Sequence, residues 1–317
     1  MAEVTHRTIA ANGINIHIAE QGKGPLVLLL HGFPELWYSW RHQLPALADA
    51  GFQAVAPDVR GYGRTDAPQP LESYSMRQMT ADAVGILDAL DAEQAVVVGH
   101  DWGAPIAWHC ALMYPKRFRA IVALSVPFQP RSDAMPPTQA FKRIFGDNFF
   151  YILYFQKPGV AEAEFEADVR RSMLIMLARL SASATSGQAL ASRPRTATMF
   201  GQARTPDRLP EWLSEADLDY YVAEFERTGF RGGLNRYRNM DRDWSELAHL
   251  QGAKVEQPAL FIAGENDPVR GFTRIDDMTG HVPNLRKTIL LPDCGHWTQQ
   301  ERPSEVNREI IDFLHGL

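Results

Sequence analysis

The sequence predicts an α/β fold: a mostly parallel, doubly wound sheet with helices on both faces and a helical lid inserted late in the strand order. Three observations carry that expectation. Short apolar runs such as "PLVLLLHG" and "AVVVG" alternate with stretches whose apolar residues recur at helical spacing. From about Phe128 to Glu256 the strand rhythm stops, and the chain turns helical and, at first, aromatic-rich. The rhythm resumes with "QPALFIAGENDP" and "RKTILLPDCGHW". The expected division is a core of residues 1–127 and 257–317, with residues 128–256 as the lid.

Each element has its own signal. Asn12-Gly13 is a two-residue hairpin turn, and the alternation Ile14, Ile16, Ile18 follows it, so the chain begins as antiparallel β. "PLVLLLHG" suits a central parallel strand, because a strand covered on both faces reads as one apolar run. Trp37, Trp40, Leu44 and Leu47 then recur at helical spacing, and "FQAVAPD" is the next strand. Met76, Met79, Ala83, Leu87 and Leu90 form a helical stripe leading into "AVVVG", and "FRAIVALSVP" is the strand after the following helix. Within the lid, "FKRIFGDNFFYILYFQ" is helical and "ARLSASATSGQALASRPRTATMF" reads as a flexible connector. Helix returns around Glu215–Arg227, and "PSEVNREIIDFLHGL" closes the chain as an amphipathic helix with Pro303 and Ser304 at its start.

Composition narrows the function. At 317 residues, 45% hydrophobic and 22% charged, the chain builds a full core without staples. A formal net charge of −6 argues against nucleic acid or an anionic membrane as the main partner. Two cysteines, Cys110 and Cys294, exclude a disulfide framework and fit a reducing compartment. The first residues lack the apolar region of a secretory signal, and no apolar run is long enough to span a bilayer. The expectation is a cytoplasmic protein without stable membrane insertion. No His-x-x-x-His or Cys-x-x-Cys pair occurs at ligand spacing, and "RGYGR" does not match a phosphate-binding fingerprint. Neither a metal nor a cofactor is expected.

The chemistry concentrates in "VVVGHDWGAP", Val96 to Pro105. A strand runs into Gly-His-Asp-Trp-Gly and then into helix, which is the spacing of a nucleophile elbow with Asp101 where serine is familiar. Gly99 and Gly103 supply the tiny neighbours that a strained turn requires. Alone, the stretch reads equally well as a turn with an Asp helix cap. Two partners favour the elbow, in the order nucleophile, acid, histidine: Asp267 after "ALFIAGEN" and His296 after "TILLPDCG". Both sit where loops at the carboxyl edge of a parallel sheet build sites. Glu265 is the competing carboxylate, whereas the strand ending "VALSVPF" offers none.

Directly after the first buried strand, "HGFPE" turns the backbone N–H of Phe33 toward the elbow. With the N–H of Trp102 it makes a two-donor oxyanion hole. Pro34 raises the question of a cis peptide, which sequence does not decide. His31 and His100 read as structural histidines and Cys294 as a small buried apolar residue. Pro34, Trp37, Phe150 and Trp297, with Phe33, are expected to line an apolar substrate pocket.

The motifs "HGFPE", "DVRGYGRTD", "GHDWGA", "GENDPV" and "CGHW" jointly resemble an α/β-hydrolase of the epoxide hydrolase branch, over nearly the whole chain. "GHDWG" by itself is shared with haloalkane dehalogenases. In the lid, "YILYFQKPGVAEAEF" and "FRGGLNRYRNMDRDW" resemble the segments that hold that family's two lid tyrosines, which implies Tyr154 and Tyr237 as proton donors. Tyr151, Tyr220 and Tyr221 are assigned to packing or to the pocket wall. The implied substrate is a small apolar epoxide, and relatives of this type are often dimers, so a homodimer is a partner option. A carboxylate is a competent nucleophile at a saturated electrophilic carbon, forming an ester that His296, oriented by Asp267, would hydrolyse. Two rival readings remain at this point: a dehalogenase using the same nucleophile, and a catalytically silent binder of small hydrophobes.

Overall fold

Asn12 and Gly13 both take left-handed backbone, φ 47° and 75°, the combination that a two-residue hairpin demands. They fold β1 (Thr5–Ala11) back on β2 (Ile14–Gln21) with Ala11 opposite Ile14. The structure, a computed structural model, describes residues 3–184, 193–201, 203–271 and 273–317. Six further strands follow: β3 (Leu26–Leu30), β4 (Gln53–Pro57), β5 (Ala95–His100), β6 (Phe118–Leu124), β7 (Ala259–Gly264) and β8 (Leu285–Leu291). The sheet runs β1-β2-β4-β3-β5-β6-β7-β8. Only the pairings of β2 are antiparallel; every pairing from β4 to β8 is parallel.

Helices cover both faces, as the apolar runs require. On one side lie α2 (Met76–Ala89) and α3 (Gly103–Met113), and on the other α1 (Gln43–Asp49) and α12 (Pro303–His315), with the short α11 (Thr298–Glu301) preceding α12. The strands are buried throughout, yet they still alternate. Leu28, Val97, Ile121 and Phe261 pack with α2 and α3, whereas Leu29, Val98, Val122 and Ile262 pack with α1 and α12. Burying one such side chain contributes roughly 1.5–3 kcal/mol, so the central strands dominate the fold's stability. β8 has a neighbour on one side only and is correspondingly exposed along most of its length.

Between β6 and β7 the described residues form seven α-helices: α4 (Pro137–Phe145), α5 (Tyr151–Phe155), α6 (Val160–Glu166), α7 (Val169–Arg179), α8 (Glu215–Thr228), α9 (Arg231–Arg238) and α10 (Met240–Glu246). Most of them share a third apolar cluster that includes Phe155, Phe165, Met173, Leu177, Tyr221, Phe225 and Phe230. That cluster reaches the sheet through Phe33 and Trp297. Phe128, Leu247 and Val255, at the two ends of the inserted stretch, are buried in the core of the sheet instead. The helical insert's own core is thus carried by the residues between them. Part of the Ala/Ser-rich connector, 185–192, lies outside the described residues. Among the described residues no helix is long and apolar enough to cross a membrane.

Candidate active site

Each of four neighbouring strands, β5 to β8, is followed by a residue of one cluster: Asp101, Ser125, Asp267 and His296. Asp101 follows β5 with φ 50°, a left-handed backbone that few non-glycine residues adopt, at the turn into α3. The two flanking glycines are sterically required. A Cβ on Gly99 would lie 2.0 Å from the Gly103 carbonyl oxygen, and one on Gly103 would lie 2.0 Å from that of Leu30. The expected aim of the "HGFPE" turn is found as well: Phe33 N–H donates to Asp101 Oδ1 at 2.8 Å, and the Phe33–Pro34 peptide is cis. Trp102 follows Asp101 as the residue that opens α3.

His296 Nε2 lies 3.5 Å from Asp101 Oδ2, and its Nδ1 lies 3.1 Å from Asp267 Oδ1 and 3.2 Å from Oδ2. Asp267, not Glu265, is therefore the carboxylate beside the histidine. Burial opposes the charge on both groups, yet the pair holds. Asp267, with the hydrogen bonds and charge of Asp101, raises the His296 imidazolium well above its ordinary pKa. In turn His296, Ser125 and the Val269 N–H hold Asp267 below the usual carboxylate range. The loop carrying His296 is fixed from the helical insert: His296 N–H donates to Leu180 O at 2.8 Å, and Trp297 Nε1–H to Leu177 O at 2.8 Å. Glu301 gathers the N–H groups of Ala182, Gly295 and Trp297 at 2.9–3.1 Å.

His31 and His100 are both buried and hydrogen-bonded to the scaffold around the site. His31 accepts the Val59 N–H at 2.9 Å. His100 bridges Glu35 Oε2, 2.6 Å from Nδ1, and the His296 carbonyl, 2.7 Å from Nε2. Glu35 also accepts from Gly32 N–H and Gln299, so the turn after β3 and the His296 loop share one buried carboxylate. Burial works against ionised Glu35, but His100 and these donors outweigh it and lower its pKa to about 2. A depressed carboxyl stabilises the fold above its unfolded value of 4.5 and loses that contribution as pH falls toward 2. Between pH 6 and pH 3 this group should cost the wild type on the order of 2 kcal/mol that Glu35→Gln, lacking it throughout, does not lose. Urea unfolding midpoints at the two pH values test this; equal losses in both proteins would refute it.

The tyrosines need a correction. Tyr237, on α9, packs edge-on against Phe33 (5.5 Å) and Trp102 (5.1 Å), and its pKa is pushed well up by burial and by the negative charge of Asp101. Within the helical insert the second phenol facing this charge is Tyr151, not Tyr154; buried Tyr62, on the loop after β4, faces it as well. Burial first, then Asp101 and Asp267, push the Tyr151 pKa up, and its ring lies 6.0 Å from that of Tyr237. Tyr154 instead donates to Glu164 Oε2 at 2.7 Å, inside the insert. The two tyrosines are three residues apart on α5, about 4.5 Å along the axis and about 60° around it, enough to turn one toward the sheet and the other toward α6.

The expected pocket wall is partly redrawn. Trp37 packs with His6, His17 and Tyr220, and its Nε1–H donates to Tyr220 Oη at 2.7 Å, so it belongs to a different cluster from Asp101. Phe150 stacks on Phe145 at 3.9 Å within the insert. Trp297 backs His296 at 4.8 Å. Phe33, whose N–H reaches Asp101, forms one edge-on aromatic group with Tyr237, Trp102 and Tyr151, and Phe155 packs against Phe33, Tyr151 and Tyr237. Sequence reasoning missed Arg236, buried over the Trp102 indole at 4.8 Å and paired with Asp243. Cys110 and Cys294 are both buried thiols. Among the described residues no three His, Cys, Asp or Glu side chains converge as a metal site would need.

Comparison with known proteins supplies the family. Residues 25–303 match the alpha/beta hydrolase fold family. Epoxide hydrolase A of Mycobacterium tuberculosis is 48% identical over 100% of this chain and 99% of its own length. Epoxide hydrolase 3 of Siraitia grosvenorii is 43% identical over 99% of both chains. The crystal structure of epoxide hydrolase A from Mycobacterium thermoresistibile superposes with a TM-score of 0.95 at 50% identity, covering 99% of each chain.

Proposed function

The chain belongs to the alpha/beta hydrolase fold family and to its epoxide hydrolases, and from that premise we propose that it converts epoxides to vicinal diols through an ester on Asp101. The observation that carries this reading is the placement of two phenols from the helical insert, buried Tyr237 and half-buried Tyr151, with rings 6.0 Å apart, Tyr237 packing on Phe33 and Trp102 and both facing the Asp101 charge. An opening epoxide develops charge on its ring oxygen and needs a proton there, whereas a departing halide does not. Phenols whose pKa is pushed up stay protonated and can donate. Residues 128–256 act as the lid that brings them over the sheet.

Asp101 Oδ1 is held by the Phe33 N–H, so Oδ2 is the oxygen free to bond an epoxide carbon. As that bond forms, the ring carbon–oxygen bond breaks and a lid tyrosine protonates the oxygen. Esterification removes the Asp101 charge, one of two negative groups that hold His296 protonated. The imidazolium then gives up its proton, which restores the tyrosine, and becomes a base. It takes a proton from water, which attacks the ester carbonyl of Asp101. The oxyanion develops on Oδ1, where Phe33 N–H, joined by Trp102 N–H, stabilises it. Collapse breaks the ester carbon–oxygen bond; the His296 imidazolium protonates the departing diol oxygen and takes back the proton of the hydroxyl that water added, so Asp101 returns as carboxylate and His296 as imidazolium.

The test is an assay on a panel of aryl, short alkyl and fatty-acid epoxides with one haloalkane. Diol formation from at least one epoxide class, at rates far above any halide release, is the expected result. Halide release without diol would replace this reading with a dehalogenase, and binding without turnover would replace it with a silent binder.

A further inference from the structure

Strand β6 ends beside the cluster without supplying a carboxylate, yet it is not idle. Ser125 follows it, fully buried, with φ 70°. Its N–H stays in the ladder, donating to Ile262 O at 2.9 Å, while Val126 N–H turns back to Leu124 O at 2.8 Å. That closes a three-residue turn of the strained hand around a non-glycine residue, the kind of backbone outlier that clusters at functional sites. The turn aims the hydroxyl at the acid and the base together: Oγ donates to Asp267 Oδ2 at 2.6 Å and lies 3.0 Å from His296 Nδ1.

Hydrogen-bond accounting gives the hydroxyl a definite task. Its single hydrogen is committed to Asp267, so it faces His296 with lone pairs and accepts from Nδ1–H. Asp267 Oδ1 is fixed by Val269 N–H at 2.9 Å, which leaves Ser125 as the donor that fixes Oδ2. The Nδ1 proton therefore sits among three oxygens at 3.0–3.2 Å, Ser125 Oγ being the nearest. Every feature keeps the proton on Nδ1 and leaves Nε2 as the face turned toward Asp101.

We propose that Ser125 is a positioning residue for ester hydrolysis, locking the Asp267 carboxylate and the Nδ1–H tautomer of His296 so that Nε2 is the base. This rests on the two-step reading above. Asp101 from the elbow, His100 from β5, Glu301 from α11, Tyr151 from α5 and the Cys294 thiol also face the His296–Asp267 pair, while Asp267 Oδ2 accepts the Ser125 hydroxyl.

The experiment compares Ser125→Ala and Ser125→Gly, both lacking the hydroxyl, with glycine also relieving the left-handed backbone. Rapid-mixing and intact-mass measurements separate ester formation from its hydrolysis, with melting temperatures as the folding control. Both variants should form the ester within about twofold of the wild-type rate and hydrolyse it roughly 10–30-fold more slowly, so that ester accumulates. Without its donor, Asp267 attracts the imidazolium proton more strongly, so the acid limb of kcat should move to higher pH. Equal hydrolysis rates, equal losses in both steps, or recovery in Ser125→Gly alone would each overturn the proposal. Proton and nitrogen NMR of the His296 Nδ1–H in substrate-free protein supplies an arm that needs no turnover: in the variants that proton, held among three oxygens in the wild type, should shift and exchange faster with water. A wild type that forms no ester would defeat the two-step reading, while the NMR result would still decide the role of Ser125.

Discussion

Replacing Tyr151 and Tyr237 together by phenylalanine should lower epoxide turnover by a factor of roughly a thousand or more, within the range that positioned acid catalysis contributes. Both rings stay in place as apolar packing, so the fold should survive. Only the two hydroxyls that the helical insert turns toward the Asp101 charge are lost, and the epoxide oxygen then leaves without a proton from them. The loss should fall on ester formation, read as a slowed first phase in rapid-mixing experiments, while hydrolysis of any ester formed stays near normal. Tyr154→Phe is the contrasting variant, because its hydroxyl is engaged with Glu164, and it should turn over within about threefold of the wild type. The reverse pattern, a crippled Tyr154→Phe and an active double variant, would reinstate the sequence-based assignment. A pH consequence follows from the same geometry. Burial and Asp101 push both phenols up, so ester formation should show no alkaline limb below about pH 10 from loss of the tyrosine proton.

The sheet was legible because its signals are local. An Asn-Gly turn, continuous apolar runs and helical stripes each depend on a few neighbouring residues, and the hairpin and the parallel strands lie where those signals put them. Asp101, Asp267 and His296 were legible for a topological reason: each follows a strand, and the carboxyl ends of adjacent parallel strands converge. The lid offered no such rule. The resemblance pointed to Tyr154 in "YILYFQ" and left Tyr151 to packing or the pocket wall, but the Tyr154 hydroxyl is engaged by Glu164 on the next helix. Trp37 looked like pocket wall because it follows "HGFPE", but its indole N–H finds Tyr220 from α8 instead. Ser125 was passed over because a search for carboxylates ignores hydroxyls. Its role comes from a backbone turn and two side chains 142 and 171 residues away, which no local pattern encodes. The same holds for Arg236 on Trp102 and for Glu301 under the His296 loop.

His296→Gln should stop the reaction halfway. Asp101 keeps its Phe33 N–H and its strained elbow, neither of which involves the imidazole, so attack on the epoxide proceeds. The next step lacks a base. Glutamine fits the space and can hydrogen-bond, but its amide does not accept a proton from water near neutral pH, so hydrolysis should slow by roughly a hundredfold to ten-thousandfold. The enzyme should then accumulate a species heavier by the mass of one epoxide, and peptide mapping should place the addition on the segment containing Asp101. A second measurement fixes the route of the oxygen. In wild-type protein undergoing a single turnover in heavy-oxygen water, the label should enter the Asp101 carboxylate, because water attacks the ester carbonyl and not the substrate carbon. His296→Gln without an adduct, or label appearing only in the diol under those single-turnover conditions, would instead mean that His296 drives water directly onto the epoxide with Asp101 as a bystander. The geometry argues against that alternative. Asp101 Oδ2 stands 3.5 Å from His296 Nε2, where a direct-attack water would need to sit, while Oδ1 already points into a donor suited to an acyl oxyanion.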